Sequence, residues 1–363
     1  MSLDLLPSDV ETDLRATLRQ LLTERCEPGA VAASYDGDRS VVAPLWRSLT
    51  GELGLAGLLV PEDRGGAGAS AREAAAVLEE LGRAVAPVPY LTSAVVATTA
   101  LLGTDGDLLA ELAAGERTAA LLVPLSTAPD DPLPVLAGVE GRLSGTVTSV
   151  AGALDADTLL VLVATDAGPA LGVVDAAAVT VAPVISLDMS RQLADVTLAD
   201  APVRLVLDDG ERAVRRGLLA GAALLPAEQA GVARWCLEET LAYLKVRTQF
   251  GRVVGGFQAL KHRFADLYAE VESASAAATY AAAALAAGDP DLQVAVHVAQ
   301  SYCSDAAVHA AEEAIQLHGG IGMTWEHPAH LYLKRAKADQ IALGTPGAHR
   351  SRLATLVDLP SDG

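Results

Sequence analysis

Hydrophobic spacing changes twice along this 363-residue chain, and the two changes leave few folds open. From residue 9 to about residue 116, apolar residues recur every three or four positions. Val10, Leu14, Leu18, Leu21 and Leu22 do so first, and the pattern returns around Leu78 and Leu81. This is the repeat of helices that bury one face. At about Thr118 the pattern becomes short runs rich in Val, Leu and Thr, at 119–123, 143–150, 158–163, 170–174 and 193–198, separated by Gly, Asp and Pro. Such runs predict the strands of a meander or small barrel. From about Gly210 helical spacing resumes, and long helices are expected over 226–249, 257–287 and 292–318. The expected α+β organisation is a helical domain over 1–117, a β domain over 118–210 and a second helical domain over 211–363.

Smaller signals fit that frame. The stretch from Leu58 to Gly68 is turn-rich, and Ser70 is placed to cap the helix that follows. Residues 273–287 are alanine-rich, ten of fifteen, which suits a helix packed closely in the interior and also an oligomer interface. Charge excludes several functions. With 26 basic and 46 acidic residues the net charge is -20, so nucleic acid and anionic membrane surfaces are poor partners. An anionic ligand needs a local basic patch, available around Arg247, Arg252, Lys261 and Arg263 or around Lys334, Arg335 and Lys337. No eighteen-residue apolar stretch occurs and the first residues are acidic, so neither a membrane span nor a signal peptide is expected, and the protein is expected in the cytoplasm. Cys26, Cys236 and Cys303 are odd in number and far apart, as in a reducing compartment.

Chemistry concentrates in three places: Arg247-Thr248-Gln249-Phe250-Gly251, then Gln258, then Gln316-Leu317-His318-Gly319-Gly320-Ile321-Gly322. A planar cation, an aromatic ring, carboxamides and glycines near helix ends suit a nucleotide's pyrophosphate and adenine, and a flavin is the leading candidate. Taken alone, Arg247 reads more readily as an ordinary helix-end cation than as a ligand contact. His327 and His330 are three residues apart with a proline between and no acid cluster nearby, so no metal site is expected. Glu238 and Glu239 read as a solvated helix face. Nucleophile elbows, Walker loops and dinucleotide glycine fingerprints are absent.

These motifs, with Gly54 to Glu62, Gly65-Gly66-Ala67-Gly68, Leu78 to Arg83 and Thr324 to Pro328, resemble the acyl-CoA dehydrogenase family over nearly the whole chain. The resemblance implies an N-terminal helical domain, a middle β-barrel-like domain and a C-terminal four-helix bundle. It also implies FAD held between two chains. Arg247, Phe250, Gln258, Gln316, Gly319 and Gly320 would then reach the ADP half of a flavin whose ring lies in the neighbouring subunit.

The chain departs from the family where the ring and the thioester should be. Thr-Glu-Pro with Gly-Ser-Asp is replaced by residues 125–131, and Trp-Ile-Thr-Asn by residues 147–152. The glutamate expected before Gly-Thr is Leu343, which cannot accept a proton, and the alternative position on the helix before Arg247 falls near Gly221. A missing general base forfeits about 10²- to 10⁴-fold in rate. The pattern resembles the non-catalytic subunit of actinobacterial α2β2 heterotetrameric dehydrogenases acting on steroid side-chain CoA thioesters. Such a subunit completes the FAD site of a glutamate-bearing partner, which holds most of the acyl-CoA. Two other readings remain: a self-sufficient homo-oligomer with Glu228 or Asp339 as a relocated base, or a scaffold binding neither flavin nor thioester.

Overall fold

The computed structural model describes residues 3 to 359. Its first region is helical: α1 (Asp9–Arg25), α2 (Pro28–Ala33), α3 (Val42–Arg47), α4 (Ala71–Arg83), α5 (Thr98–Leu101) and α6 (Leu108–Ala113). Ser70 does cap α4. Its hydroxyl accepts from the Arg72 N–H at 3.1 Å, while Glu73 reaches back to the Ser70 N–H at 2.9 Å. The turn before it is tight because the chain folds back on itself. A Cβ on Gly66 would stand 2.1 Å from the Val60 carbonyl oxygen.

The middle region holds β1 (Ala119–Leu121), β2 (Val135–Val139), β3 (Arg142–Ala151), β4 (Thr158–Thr165), β5 (Gly168–Asp175), β6 (Thr180–Val184), β7 (Leu193–Pro202) and β8 (Arg204–Leu207). The spatial order is β6-β7-β3-β2-β4-β5-β8, with β1 parallel to β4 beside β2. Side-chain alternation divides two cores. Leu160 and Leu162 of β4 face the helices, whereas Leu159, Val161 and Val163 fill the interior of the sheet. Sequence spacing did not reveal β2, β6 or β8. β6 and β8 are the edges of the sheet, and β6 contains Pro183, which only an edge accommodates. β2 is mostly exposed and carries little apolar alternation.

The last region contains α7 (Gly210–Val246), a hairpin of β9 (Thr248–Gln249) and β10 (Arg252–Val253), then α8 (Gln258–Ala287), α9 (Leu292–His318), α10 (Ala329–Asp339) and α11 (Pro346–Leu356). The helix expected over 226–249 in fact starts at Gly210, with Pro226 inside it. Proline lacks the N–H that would bond the carbonyl four residues earlier, which is normally a helix break. Here the Gln300 carboxamide, fully buried on α9, donates to that Ala222 carbonyl at 2.9 Å and replaces the missing bond. The rescue lies 74 residues away in the sequence, so local pattern cannot announce it.

Two glycines let α4 and α7 touch backbone to backbone. A Cβ on Gly82 would lie 2.1 Å from the Glu228 carbonyl oxygen, and one on Gly231 would lie 2.0 Å from that of Glu79. The alanine-rich half of α8 is interior: Ala274, Ala278 and Ala281 to Ala284 are buried. All three cysteines are free and buried. Among the described residues no helix is long and apolar enough to cross a membrane.

Candidate functional site

Leu343 is buried at the turn after α10, in the left-handed region with φ 56°. Two contacts hold it in that unfavourable geometry. Its N–H donates to the Leu125 carbonyl at 2.8 Å, and its carbonyl accepts from His349 Nε2 at 3.1 Å. The proton on Nε2 leaves His349 Nδ1 as an acceptor for His297 Nδ1 at 2.7 Å. Burial, followed by the neighbouring His297, pulls His349 down to about 4, so the relay is neutral at neutral pH.

The two positions at which resemblance would put a base meet in space. A Cβ on Gly221 would lie 3.0 Å from the Leu343 side chain and 2.7 Å from that of Val96. Neither position carries an acid, and Leu343 lines a cavity of only about 30 Å³ whose other walls include Leu91, Leu121, Leu125 and Leu218 and no acid. Ligand pockets are about 300–1,000 Å³. The segments at the two altered landmarks help close it. The Leu125 N–H donates to the Ser149 carbonyl at 3.0 Å, and its own carbonyl binds Leu343.

Glu228 and Asp339 lie outside that lining, in a buried charge network that sequence reading did not find. Arg335 is 2% exposed and donates to Asp188 at 2.7 Å, to Glu228 at 2.5 Å and to the Ser190 hydroxyl at 2.7 Å. Arg191 adds a second guanidinium on Glu228 at 2.5 Å. Despite burial, these cations hold Asp188 and Glu228 below the usual carboxylate range. Asp339 is different. Neither carboxyl oxygen has a hydrogen-bond partner, and burial leads the causes that raise it to about 7. Two guanidiniums are thus matched by two carboxylates, with Asp339 the odd acid. The network ties the loop before β7 to α7 and α10, three segments whose charges look like surface residues in the sequence.

The other half of the motif set is exposed. Arg247 caps the C-terminus of α7, and the hairpin turn that follows places Phe250 and Gly251 at φ 52° and 74°. Phe250 is 90% exposed. Gln258 opens α8, Gln316 lies in the last turn of α9, and Gly319 and Gly320 follow it, all at the surface. The two groups share one end of the bundle, where the Tyr243 and His318 rings stack at 4.5 Å. Of the cations read as basic patches, Arg263 is paired with Glu313 and Lys337 with Glu312, Arg335 is buried, Arg252 lies over the Phe257 ring and Lys334 over Tyr35 and Trp325.

FAD suits this exposed face in part. Gly319 has φ 65° and nothing within 4 Å of its Cβ position, as is also true of Gly320, so a ligand backbone can approach closely. The N-terminus of α8 has no side-chain cap, and its free N–H groups favour a phosphate. The closed pocket gives a flavin ring and acyl chain no equivalent room.

Residues 8–116 match the acyl-CoA dehydrogenase N-terminal domain and residues 208–357 the acyl-CoA dehydrogenase C-terminal domain. The chain belongs to the acyl-CoA dehydrogenase family. It is 39% identical over 342 residues to acyl-CoA dehydrogenase IpdE2 of Mycolicibacterium smegmatis, covering 94% of this chain and 96% of that one. It is also 39% identical over 322 residues to acyl-CoA dehydrogenase FadE34 of Mycobacterium tuberculosis, covering 88% of this chain but only 43% of that protein. Among solved structures, a variant of the Tcur3481-Tcur3483 steroid ACAD is 31% identical with TM-score 0.83, over 96% of this chain and 98% of that one. The ChsE4-ChsE5 complex from Mycobacterium tuberculosis is 28% identical with TM-score 0.86, over 99% of this chain and 100% of that one. Members of this family are FAD-dependent, and their fold of helical domain, central sheet and helical domain is the one described above.

Proposed function

We propose that this chain is the non-catalytic, cofactor-completing subunit of a heteromeric flavin-dependent acyl-CoA dehydrogenase. The observation that carries the reading is Leu343, packed against Gly221, lining a cavity of about 30 Å³ that holds no acid, while the residues suited to a nucleotide stand exposed on another face. Steroid side-chain CoA thioesters are the favoured substrates and an α2β2 heterotetramer the favoured assembly, because relatives of similar fold carry steroid and two-component descriptions.

In the assembled enzyme FAD would accept hydride from the substrate carbon next to the one that loses its proton. Arg247 would fork onto the pyrophosphate, Gln258 and Gln316 would offer donors and acceptors, and Gly319 and Gly320 would admit the ligand against the backbone. Phe250 would supply an apolar face beside it. The proton acceptor would come from a glutamate-bearing partner, since Glu228 is committed to two arginines and Asp339 has no access to the closed pocket.

The test is purification of this chain alone and together with a glutamate-bearing family chain, followed by flavin-to-protein ratios and acyl-CoA-dependent dye reduction. Activity is expected only from the pair. Arg247→Ala in this chain should lower flavin affinity of the pair by about 2 kcal/mol, or roughly 30-fold. A flavin-loaded, active isolated chain would refute the reading, and an unchanged flavin content in the Arg247→Ala pair would favour the scaffold reading.

A further inference from the structure

His318 has an unsatisfied nitrogen. It is the last residue of α9 and 3% exposed, and its Nδ1 donates to the Ala314 carbonyl at 2.7 Å. That bond fixes the tautomer and leaves Nε2 as a lone pair, buried and without a hydrogen-bond partner. A buried acceptor left empty is costly, so something is expected to fill it. Two other ligating groups converge there from different elements. Glu239 lies on the exposed side of α7 and His327 just before α10, and one donor atom from each lies within 4.8 Å of the others and of His318.

We propose that Glu239, His318 and His327 form a binding site for a zinc-class divalent cation, a role separate from flavin binding. The donor set decides the class: two imidazole nitrogens and one carboxylate suit Zn²⁺ and its neighbours, whereas Mg²⁺ and Ca²⁺ take oxygen ligands. The His318 Nδ1–H to carbonyl bond is the outer contact that ligating histidines commonly make, and it orients the ring. His327 supplies the second imidazole. Its Nδ1 accepts the Ala329 N–H at 3.2 Å.

Aromatic rings flank the two histidines. Tyr243 stacks on His318 at 4.5 Å, the His318 and His327 rings lie 4.1 Å apart, and Trp235 stands 6.5 Å from His327. Glu239 keeps a route to solvent for the ion and for a fourth, water ligand. The sequence hides the site because its residues are 79 and 9 positions apart. The pair that the sequence does display, His327 and His330, is not the pair that converges with Glu239.

The experiment is calorimetric titration of the full-length chain, stripped by a chelator, with ZnCl₂. The wild-type chain should bind one Zn²⁺ tightly. Glu239→Gln and His327→Ala each remove a direct ligand and should weaken it by at least about 10- to 100-fold, the loss typical of removing even an outer contact, while His309→Gln, which removes the exposed pairing with Glu270, should leave it intact. Glu239→Gln alters only an exposed carboxylate, so circular dichroism should confirm an unchanged fold. Absence of a one-to-one phase, or equal affinity in Glu239→Gln and wild type, would overturn the proposal and assign His318 Nε2 to a bound water.

Discussion

The two ends of the chain's chemistry differ in what surrounds them. Around Leu343 the lining holds no acid, and the space between Leu91, Val96, Leu125 and Leu218 is only about 30 Å³. Around Arg247 and Gln316 the side chains are polar and exposed, and the glycines remain open. A closed apolar pocket contributes to stability in the chain that owns it. An open polar face contributes little until a ligand or neighbour covers it. The contrast therefore predicts that substitutions at the first region change stability and those at the second change binding.

The largest effect is expected from Leu343→Glu. An acid inserted among Val96, Leu125 and Leu218 has no cation within the lining, so it should cost about 2–4 kcal/mol in denaturant unfolding and should not generate dehydrogenase activity in the isolated chain. Retained stability together with turnover would break the comparison. Gln300→Leu should follow, at about 1–3 kcal/mol, because it orphans the Ala222 carbonyl one residue from Gly221. A smaller loss in urea titration would mean that α7 tolerates Pro226 without help.

Asp339→Asn sharpens the contrast through pH. Its folded carboxyl is raised to about 7, above the unfolded value of about 3.9, so the fold binds the proton more tightly. That contribution is fully present below the unfolded value and is lost as pH rises through 7. The variant should flatten the fall in melting temperature across that window. Asp188 and Glu228, depressed by Arg335 and Arg191, act in the opposite sense and should dominate acid unfolding. The smallest effect on stability, within about 0.5 kcal/mol, is expected for Arg247→Ala in the isolated chain, where only flavin retention by the complex should respond.

Much of this was legible in residue order. The change of period near Thr118 and Gly210 marks the helix–strand–helix layout, Ser70 and Glu73 mark a helix start, and leucine at position 343 excludes a base there whatever the fold. Local chemistry suffices in each case, because a cap, a period or a missing carboxylate is a property of adjacent residues. Edge strands were harder, since β6 and β8 need only one partner and carry weak alternation.

What tertiary structure alone decided are the contacts that close distance in space and not in sequence. Gln300 carries α7 past Pro226, Arg335 gathers Asp188 and Glu228 from two other segments, and His318 meets Glu239 and His327. The sequence by itself determined that position 343 could not take a proton. Only packing decided that the space beside it would close, because closure depends on Val96, Gly221 and Leu125 arriving together from three distant stretches of chain.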